Sequence, residues 1–337
     1  MDSLTAGSAA ASFCASTIVA VWNLGLPSRE GDRTKHTAYP LTMRAAARGP
    51  VRLLQSGPMS SRYSRAILAG AAFAGLFVAY TQQPPAVDLT VTKLFDDLHV
   101  IVGSGGNVAV YETADGAILV DDKFEKDVPQ ILAKAKSVTS KPIRYLLNTH
   151  QHGDHTGGNA KLMAENVEIV AHENARVNME DRKMPGLPRL SFSHEFGVRL
   201  GGKLVRSRHF GRAHTNGDAV VYFPRRKTVH MGDMFVAGAP FVDYSSGGSG
   251  VDWPRTIDGV LRWDFDTVIP GHGPIMKRAE LVQWKQSFER LREELLTKKK
   301  AGGLREDAEK ALDLAAFPGW GKGSAWRSFA PFWDELK

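Results

Sequence analysis

The 337-residue chain holds one cysteine, Cys14. No disulfide can close within it, and no residue after Cys14 can serve as a thiolate nucleophile or thiolate metal ligand. That scarcity suits reducing and oxidising compartments alike. A basic surface is also scarce where it would matter. The net charge is +7, but residues 1–86 carry eight Lys/Arg against three Asp/Glu, so +5 lies there and +2 in the remainder. The remainder therefore gives no reason to expect a nucleic-acid partner. The mostly apolar run 66–80 has fifteen residues, fewer than the roughly twenty that span a bilayer as a helix.

Position gives that run a meaning. Met59-Ser60-Ser61-Arg62-Tyr63-Ser64-Arg65 is basic, Ala66 to Tyr80 is mostly apolar, and Thr81-Gln82-Gln83-Pro84-Pro85 is polar. Basic, apolar, polar is the order of an export signal. Residues 59–86 are read as a signal peptide, or as a membrane anchor with 66–80 as the tether, and the protein as exported to a periplasmic or secreted location. Residues 1–58 read as a disordered or extraneous extension, with Met59 as the natural start.

From about residue 88 the pattern becomes regular. Short β-branched runs at 98–102, 108–111, 117–120, 143–147, 167–170, 203–206, 219–223, 228–231 and 267–269 read as strands. Apolar residues at 3–4 spacing place helices at Val128–Ala135, 172–180, 253–261 and 277–300. Thr156 is the expected helix N-cap after the fourth of these strands. Strands in two groups with helices outside suggest two packed sheets. Residues 87–275 form the expected domain, and 276–337 add C-terminal helices to it.

The richest chemistry lies in His150-Gln151-His152-Gly153-Asp154-His155, directly after the strand Ile143–Leu147. Imidazole nitrogen and carboxylate oxygen are donors that zinc accepts. His150 and His152 are two apart, so in extended backbone they face one way and can grip one ion. Asp154 and His155, after the bend at Gly153, are free to face another. His214, Asp233 and His272 each follow an apolar strand or sit in a glycine-rich loop. Strand ends converge on one sheet edge, where ligands collect. His99, His172, His194, His209 and His230 lack such a context and read as structural.

This ordered set resembles that of the metallo-β-lactamase superfamily. The similarity covers about residues 92–275 and includes Leu119-Val120-Asp121-Asp122, His214-Thr215-Asn216-Gly217-Asp218 and Val268-Ile269-Pro270-Gly271-His272-Gly273. It implies an α+β fold, a four-layer αββα sandwich with the metals at one edge of the sheets. It also implies two zinc ions per chain: His150, His152 and His214 on one, Asp154, His155 and His272 on the other, and Asp233 bridging. Asp121 would support the ligand loop from behind. A shared hydroxide, acidified from a pKa of 15.7 to near 7, would attack a carbonyl, with Asp154 orienting the water and relaying its proton.

The resemblance is specific for the fold and loose for the substrate. The family's zinc β-lactamases carry cysteine or serine where this chain has Asp233. Its glyoxalase II-like thioesterases carry Gly-His where this chain has Gly217-Asp218, and a longer C-terminal region. The expected function is a zinc-dependent hydrolase of a small ester, thioester, lactone or amide. β-Lactam hydrolysis, a non-catalytic metal-binding module and an iron oxidoreductase are the alternatives. The segments 183–194 and 236–252 are read as irregular loops that border the metal edge. The second is read as either a mobile lid or a plain connection. Tyr244 within it is a candidate donor to a substrate oxyanion, or else a packing aromatic.

Overall fold

The computed structural model describes residues 88–322 and 326–337. The leader readings for 1–58 and 59–86, including the tether at 66–80, lie outside the described residues. Among the described residues no helix is long and apolar enough to cross a membrane.

Seven strands form the first sheet in chain order: β1 (Thr90–Phe95), β2 (Leu98–Val102), β3 (Val108–Glu112), β4 (Ala117–Val120), β5 (Ile143–Leu147), β6 (Glu168–His172) and β7 (Leu190–Phe192). The pairs from β1 to β4 are antiparallel, and those from β4 to β7 are parallel. The parallel steps need crossovers, which the helices Val128–Val138, Asn159–Ala164 and Glu173–Asp181 supply. The second sheet contains β8 (Glu195–Leu200), β9 (Lys203–Arg208), β10 (Val220–Phe223), β11 (Thr228–His230), β12 (Thr267–Ile269) and β13 (Met276–Lys277), in spatial order β13-β12-β11-β10-β9-β8. Only β11 and β12 pair in parallel there.

Alternation within single strands builds the layers. Ile118 and Val120 of β4 face the space between the sheets with Val221 and Phe223 of β10, whereas Leu119 turns to the helix Val128–Val138. Val220 and Tyr222 of β10 turn the other way, onto the helices Trp253–Val260 and Arg278–Lys300. Strands covered on both faces read as unbroken apolar runs, and all four residues of β4 and of β10 are buried. Tyr111 meets Phe223 edge-on across the sheets at 5.0 Å between ring centroids. The result is helix, sheet, sheet, helix. Trp326, Phe329, Phe332 and Trp333 of the C-terminal segment share the outer core of the second sheet with Trp253, Trp284 and Phe288.

The structure corrects three local expectations. Thr156 ends the short helix Gly153–Thr156, with His152 at its N-cap. The Thr156 hydroxyl donates back to the His152 carbonyl at 3.1 Å, satisfying an acceptor inside the turn instead of opening a helix. Residues 183–194 are not wholly irregular, since Leu190–Phe192 pairs in parallel with β6. Segment 236–252 is likewise not wholly irregular, since Tyr244–Ser246 forms a 3-10 turn. Its backbone bonds to Ala213, His214 and Asn216, through Ser249 N to Ala213 O at 2.9 Å, Asp243 N to His214 O at 2.8 Å and Asn216 N to Ser246 O at 2.9 Å.

Candidate metal centre

The C-terminal ends of β4, β5, β11 and β12 open onto one edge. Asp121 follows β4, His150 to His155 follow β5, Asp233 follows β11 and His272 follows β12. His214 enters from the segment between β9 and β10. All seven predicted ligands are brought together there, in two groups. His150, His152, His214 and Asp233 form one, and Asp154, His155 and His272 the other. Within each group the ligand atoms lie within 4.8 Å of one another.

In the three-histidine group, His152 Nδ1 lies 3.1 Å from His150 Nε2 and 2.9 Å from His214 Nε2. In the mixed group, His155 Nε2 lies 3.3 Å from His272 Nε2 and 3.6 Å from Asp154 Oδ2. Asp233 stands between them. Its Oδ2 is 4.0 Å from His150 Nε2 and 3.7 Å from His214 Nε2. Its Oδ1 is 3.2 Å from His155 Nε2 and 3.3 Å from His272 Nε2. One carboxylate thus gives one oxygen to each group.

The nitrogens turned away from the centre are tied by acceptors. His155 Nδ1 bonds Asp121 Oδ2 at 2.7 Å, His214 Nδ1 bonds the Phe241 carbonyl at 2.6 Å and His152 Nε2 bonds Asp243 Oδ2 at 2.8 Å. The Thr149 hydroxyl donates to Asp121 Oδ2 at 2.8 Å, so it accepts from His150 Nδ1 at 3.1 Å. For His150, His152 and His214 the partner favours the ring proton on the outward nitrogen and leaves the inward one as a lone pair. Burial keeps His150 and His214 neutral, pushing His150 well down and His214 to about 4. Neutral lone pairs that converge at about 3 Å repel unless a cation sits among them.

Two further observations fit a cation. Asp233 Oδ1 is buried and meets only the ring nitrogens of His155 and His272, at 3.2 and 3.3 Å, without a well-aligned hydrogen bond, although a buried carboxylate oxygen is costly when unpaired. His272 resists burial and is drawn up to about 9 by Asp154 and Asp233, so the carboxylates here call for positive charge. The donors are nitrogen and oxygen throughout, the set that zinc accepts.

The backbone is shaped for this convergence. Asp121 has a positive φ of 60°, a strained conformation held by the bonds it accepts from Thr149 N at 2.8 Å, Thr149 Oγ1 and His155. Gly271 lies so close to Asp233 that a Cβ would collide with the carboxylate. Gly271 N donates to the Gly232 carbonyl at 2.7 Å, which joins the Asp233 and His272 loops. His230 is buried in β11, bonds the Asn107 carbonyl at 3.0 Å and receives Gly232 N at 3.2 Å. It supports the Asp233 turn and does not face the centre.

Tyr244 is placed otherwise than an oxyanion donor would be. Its hydroxyl donates to Glu335 Oε2 at 2.7 Å, its ring packs against the core around the C-terminal helices, and burial with Glu335 pushes its pKa up. The packing role is the one taken. The residue that reaches the metal edge from this segment is Asp243, one position earlier and 7% exposed. Burial opposes its charge, but donation from Ser245, Ser246 and His152 holds its carboxyl low. Arg182 Nη2 also reaches Asp243 Oδ2, at 3.4 Å. Sequence reading missed Asp243 and Arg182. An aspartate before Ser245-Ser246 hints at a local turn, yet nothing local marks a partner 91 residues away.

Exposure gives the open side. The side chains of His150, His155 and His214 are 0–1% exposed, against 19% for His152, 23% for Asp154 and 38% for His272. The last three are the ones that solvent reaches.

Known proteins resemble this chain in sequence and in fold. The sequence model of the metallo-beta-lactamase superfamily matches residues 101–293. Among curated proteins, the chain is 28% identical over 143 residues to the 2,4-dinitroanisole O-demethylase subunit alpha of Nocardioides sp. (strain JS1661), covering 42% of this chain and 43% of the relative. It is 30% identical over 96 residues to a hydroxyacylglutathione hydrolase of Crocosphaera subtropica, covering 28% and 35%. It is 29% identical over 138 residues to the enzyme of that name from Nostoc punctiforme, covering 40% and 47%. The chain thus spans less than half the length of these relatives. Solved structures of similar fold include a metallo-beta-lactamase from Pontibacter korlensis, with TM-score 0.52, 22% identity and coverage of 57% of this chain and 94% of that one. The metallo-beta-lactamase FIM-1 from Pseudomonas aeruginosa, in its mono-zinc form, gives TM-score 0.54, 22% identity and coverage of 61% and 97%. The family match extends over more than half of the sequence, and the chain belongs to the metallo-β-lactamase superfamily.

Proposed function

We propose that the protein is a dinuclear zinc hydrolase that cleaves a small ester, thioester, lactone or amide. The observation that carries this reading is Asp233, with one oxygen toward each ligand group. A carboxylate in that place could serve both groups at once. His150, His152 and His214 would hold one, Asp154, His155 and His272 the other. When bound, the pair supplies Lewis acidity and makes a water acidic enough to deprotonate near neutral pH.

The chain's own residues do the rest. Asp154 Oδ2, 3.2 Å from His272 Nε2 and partly exposed, would orient the attacking water and take its proton. Burial opposes its charge, but its bond to His272 keeps its carboxyl below the usual range, so it is an ionised acceptor at neutral pH. Returning that proton to the leaving oxygen, sulfur or nitrogen completes the exchange. Asp121 fixes His155 through Nδ1 and so holds one wall of the site. The similarity to proteins named hydroxyacylglutathione hydrolase supports the thioester arm. The aspartate at 233 weighs against the β-lactam arm. Export, from the order of residues 59–86, is part of the same proposal.

Metal analysis with a hydrolysis panel of thioesters, lactones, aryl esters and β-lactams tests the reading. Two zinc ions per chain with turnover of at least one carbonyl substrate are expected. Full metal loading with no hydrolysis on any of them would make this a binding module.

A further inference from the structure

The outer nitrogens of His152 and His214 are both held by one short segment. His214 Nδ1 bonds the Phe241 carbonyl and His152 Nε2 bonds the Asp243 carboxylate. Asp243 N also bonds the His214 carbonyl. Residues 241–243 are therefore a wall behind two of the three histidines. What holds the wall comes from far along the chain. Val242 N donates to Ser328 Oγ at 2.8 Å, and the Trp326 indole donates to the Pro240 carbonyl. Glu335 accepts from the Tyr244 hydroxyl, from Ser249 Oγ, from Gly250 N at 3.0 Å and from Val251 N at 3.3 Å. One carboxylate two residues from the chain's last residue thus gathers both ends of the turn 244–251.

We propose that Asp243 is a positioning residue for His152, and that Glu335 and Ser328 act through the 241–251 segment to hold it in place. The C-terminal helix Phe329–Glu335 would then be a working part of the metal centre as well as packing for the second sheet. Three features carry this. Asp243 is buried and collects Ser245 Oγ at 2.5 Å and Ser246 Oγ at 2.6 Å besides His152, so its carboxylate has one available orientation. Arg182 Nη2 closes the group from the exposed side at 3.2 Å from Ser245 Oγ. The Glu335 carboxylate receives four donors from one turn, more than a surface helix end needs. A ligand whose outer nitrogen is fixed this way binds metal more tightly, and loss of such a partner costs about 10–100-fold in affinity or activity.

This inference rests on the reading of the seven residues as a metal centre, and the test separates the two. The full chain and its Asp243→Asn, Asp243→Glu, Glu335→Ala and Ser328→Ala variants are titrated with zinc against a chromophoric chelator. Their cobalt-substituted forms are compared by visible absorption, and their amide exchange at Val242, Gly250 and Val251 is followed. Asp243→Asn is expected to weaken zinc binding at the three-histidine group about 10–100-fold and to change the cobalt spectrum, with Asp243→Glu recovering part of both. Glu335→Ala is expected to speed exchange at Gly250 and Val251 and to move the spectrum in the same direction. Ser328→Ala, which deletes one hydrogen bond, should do so at Val242 with a smaller spectral change, and its unaltered melting curve keeps a folded test in hand. A folded Asp243→Asn with native zinc affinity and spectrum would overturn the positioning role. Faster exchange in Glu335→Ala with no metal readout changed would overturn the link to the C-terminus. A native chain that binds no zinc would overturn the metal-centre reading and this inference together.

Discussion

The two sides of Asp233 are built differently. On one side, His150, His152 and His214 are each tied through the outward nitrogen, to Thr149, Asp243 and Phe241. On the other, His155 is tied to Asp121, but Asp154 and His272 stand partly exposed, and among the described residues the outer nitrogen of His272 has no hydrogen-bond partner. The first side is organised before any ion arrives. The second keeps a carboxylate and an imidazole where solvent and substrate reach them. On the proposed function, one half would grip metal and the other would exchange protons.

The largest expected effect removes the difference altogether. Asp233→Ala takes a ligand from both groups, and hydrolysis should fall to background with no second ion held, as elemental analysis of the dialysed variant would register. Asp154→Asn strikes only the open side. It should lower kcat by about 10²–10⁴-fold while the three-histidine group keeps its ion; equal loss from both groups would end the division proposed here. Asp121→Asn should weaken binding at the His155 side by about 10–100-fold, read by stepwise chelator titration. Unequal steps, with the mixed group emptied first, would sharpen the comparison, and a single concerted step would break it.

How much of this was legible beforehand follows from sequence distance. All seven ligands are histidines or aspartates that follow strands or sit in glycine-rich loops, so local reading collected them, whereas Asp121 entered only through the family resemblance. The strands β4 and β10 were legible because burial on both faces leaves no polar residue in them. Asp243 and Glu335 were not. Each acts on a partner about 90 residues away, and an aspartate in a serine-rich turn looks the same whether or not an imidazole waits across the fold. Tyr244 attracted notice for its hydroxyl, which Glu335 has already claimed. The short β7 was hidden because three residues in a polar stretch carry no alternation.

The smallest effect concerns histidines outside the centre. His172 stacks on His209 at 4.0 Å, and burial followed by the His209 charge pushes His172 from 6.5 to about 4. The folded chain then binds fewer protons than the unfolded chain between those values. Its contribution to stability is present above about pH 6.5 and is lost as pH falls toward 4. Denaturant melts of native protein and His172→Gln across that range should converge at the acid end. Parallel curves would show that this stack carries no pH dependence.

The central claim is that one carboxylate joins two metal groups. Native mass spectrometry of the zinc-loaded full chain beside its Asp233→Ala variant tests it most directly. Two zinc ions on the native chain and no second ion on the variant are predicted. A native chain with one zinc or none, or a variant that retains both, would contradict it.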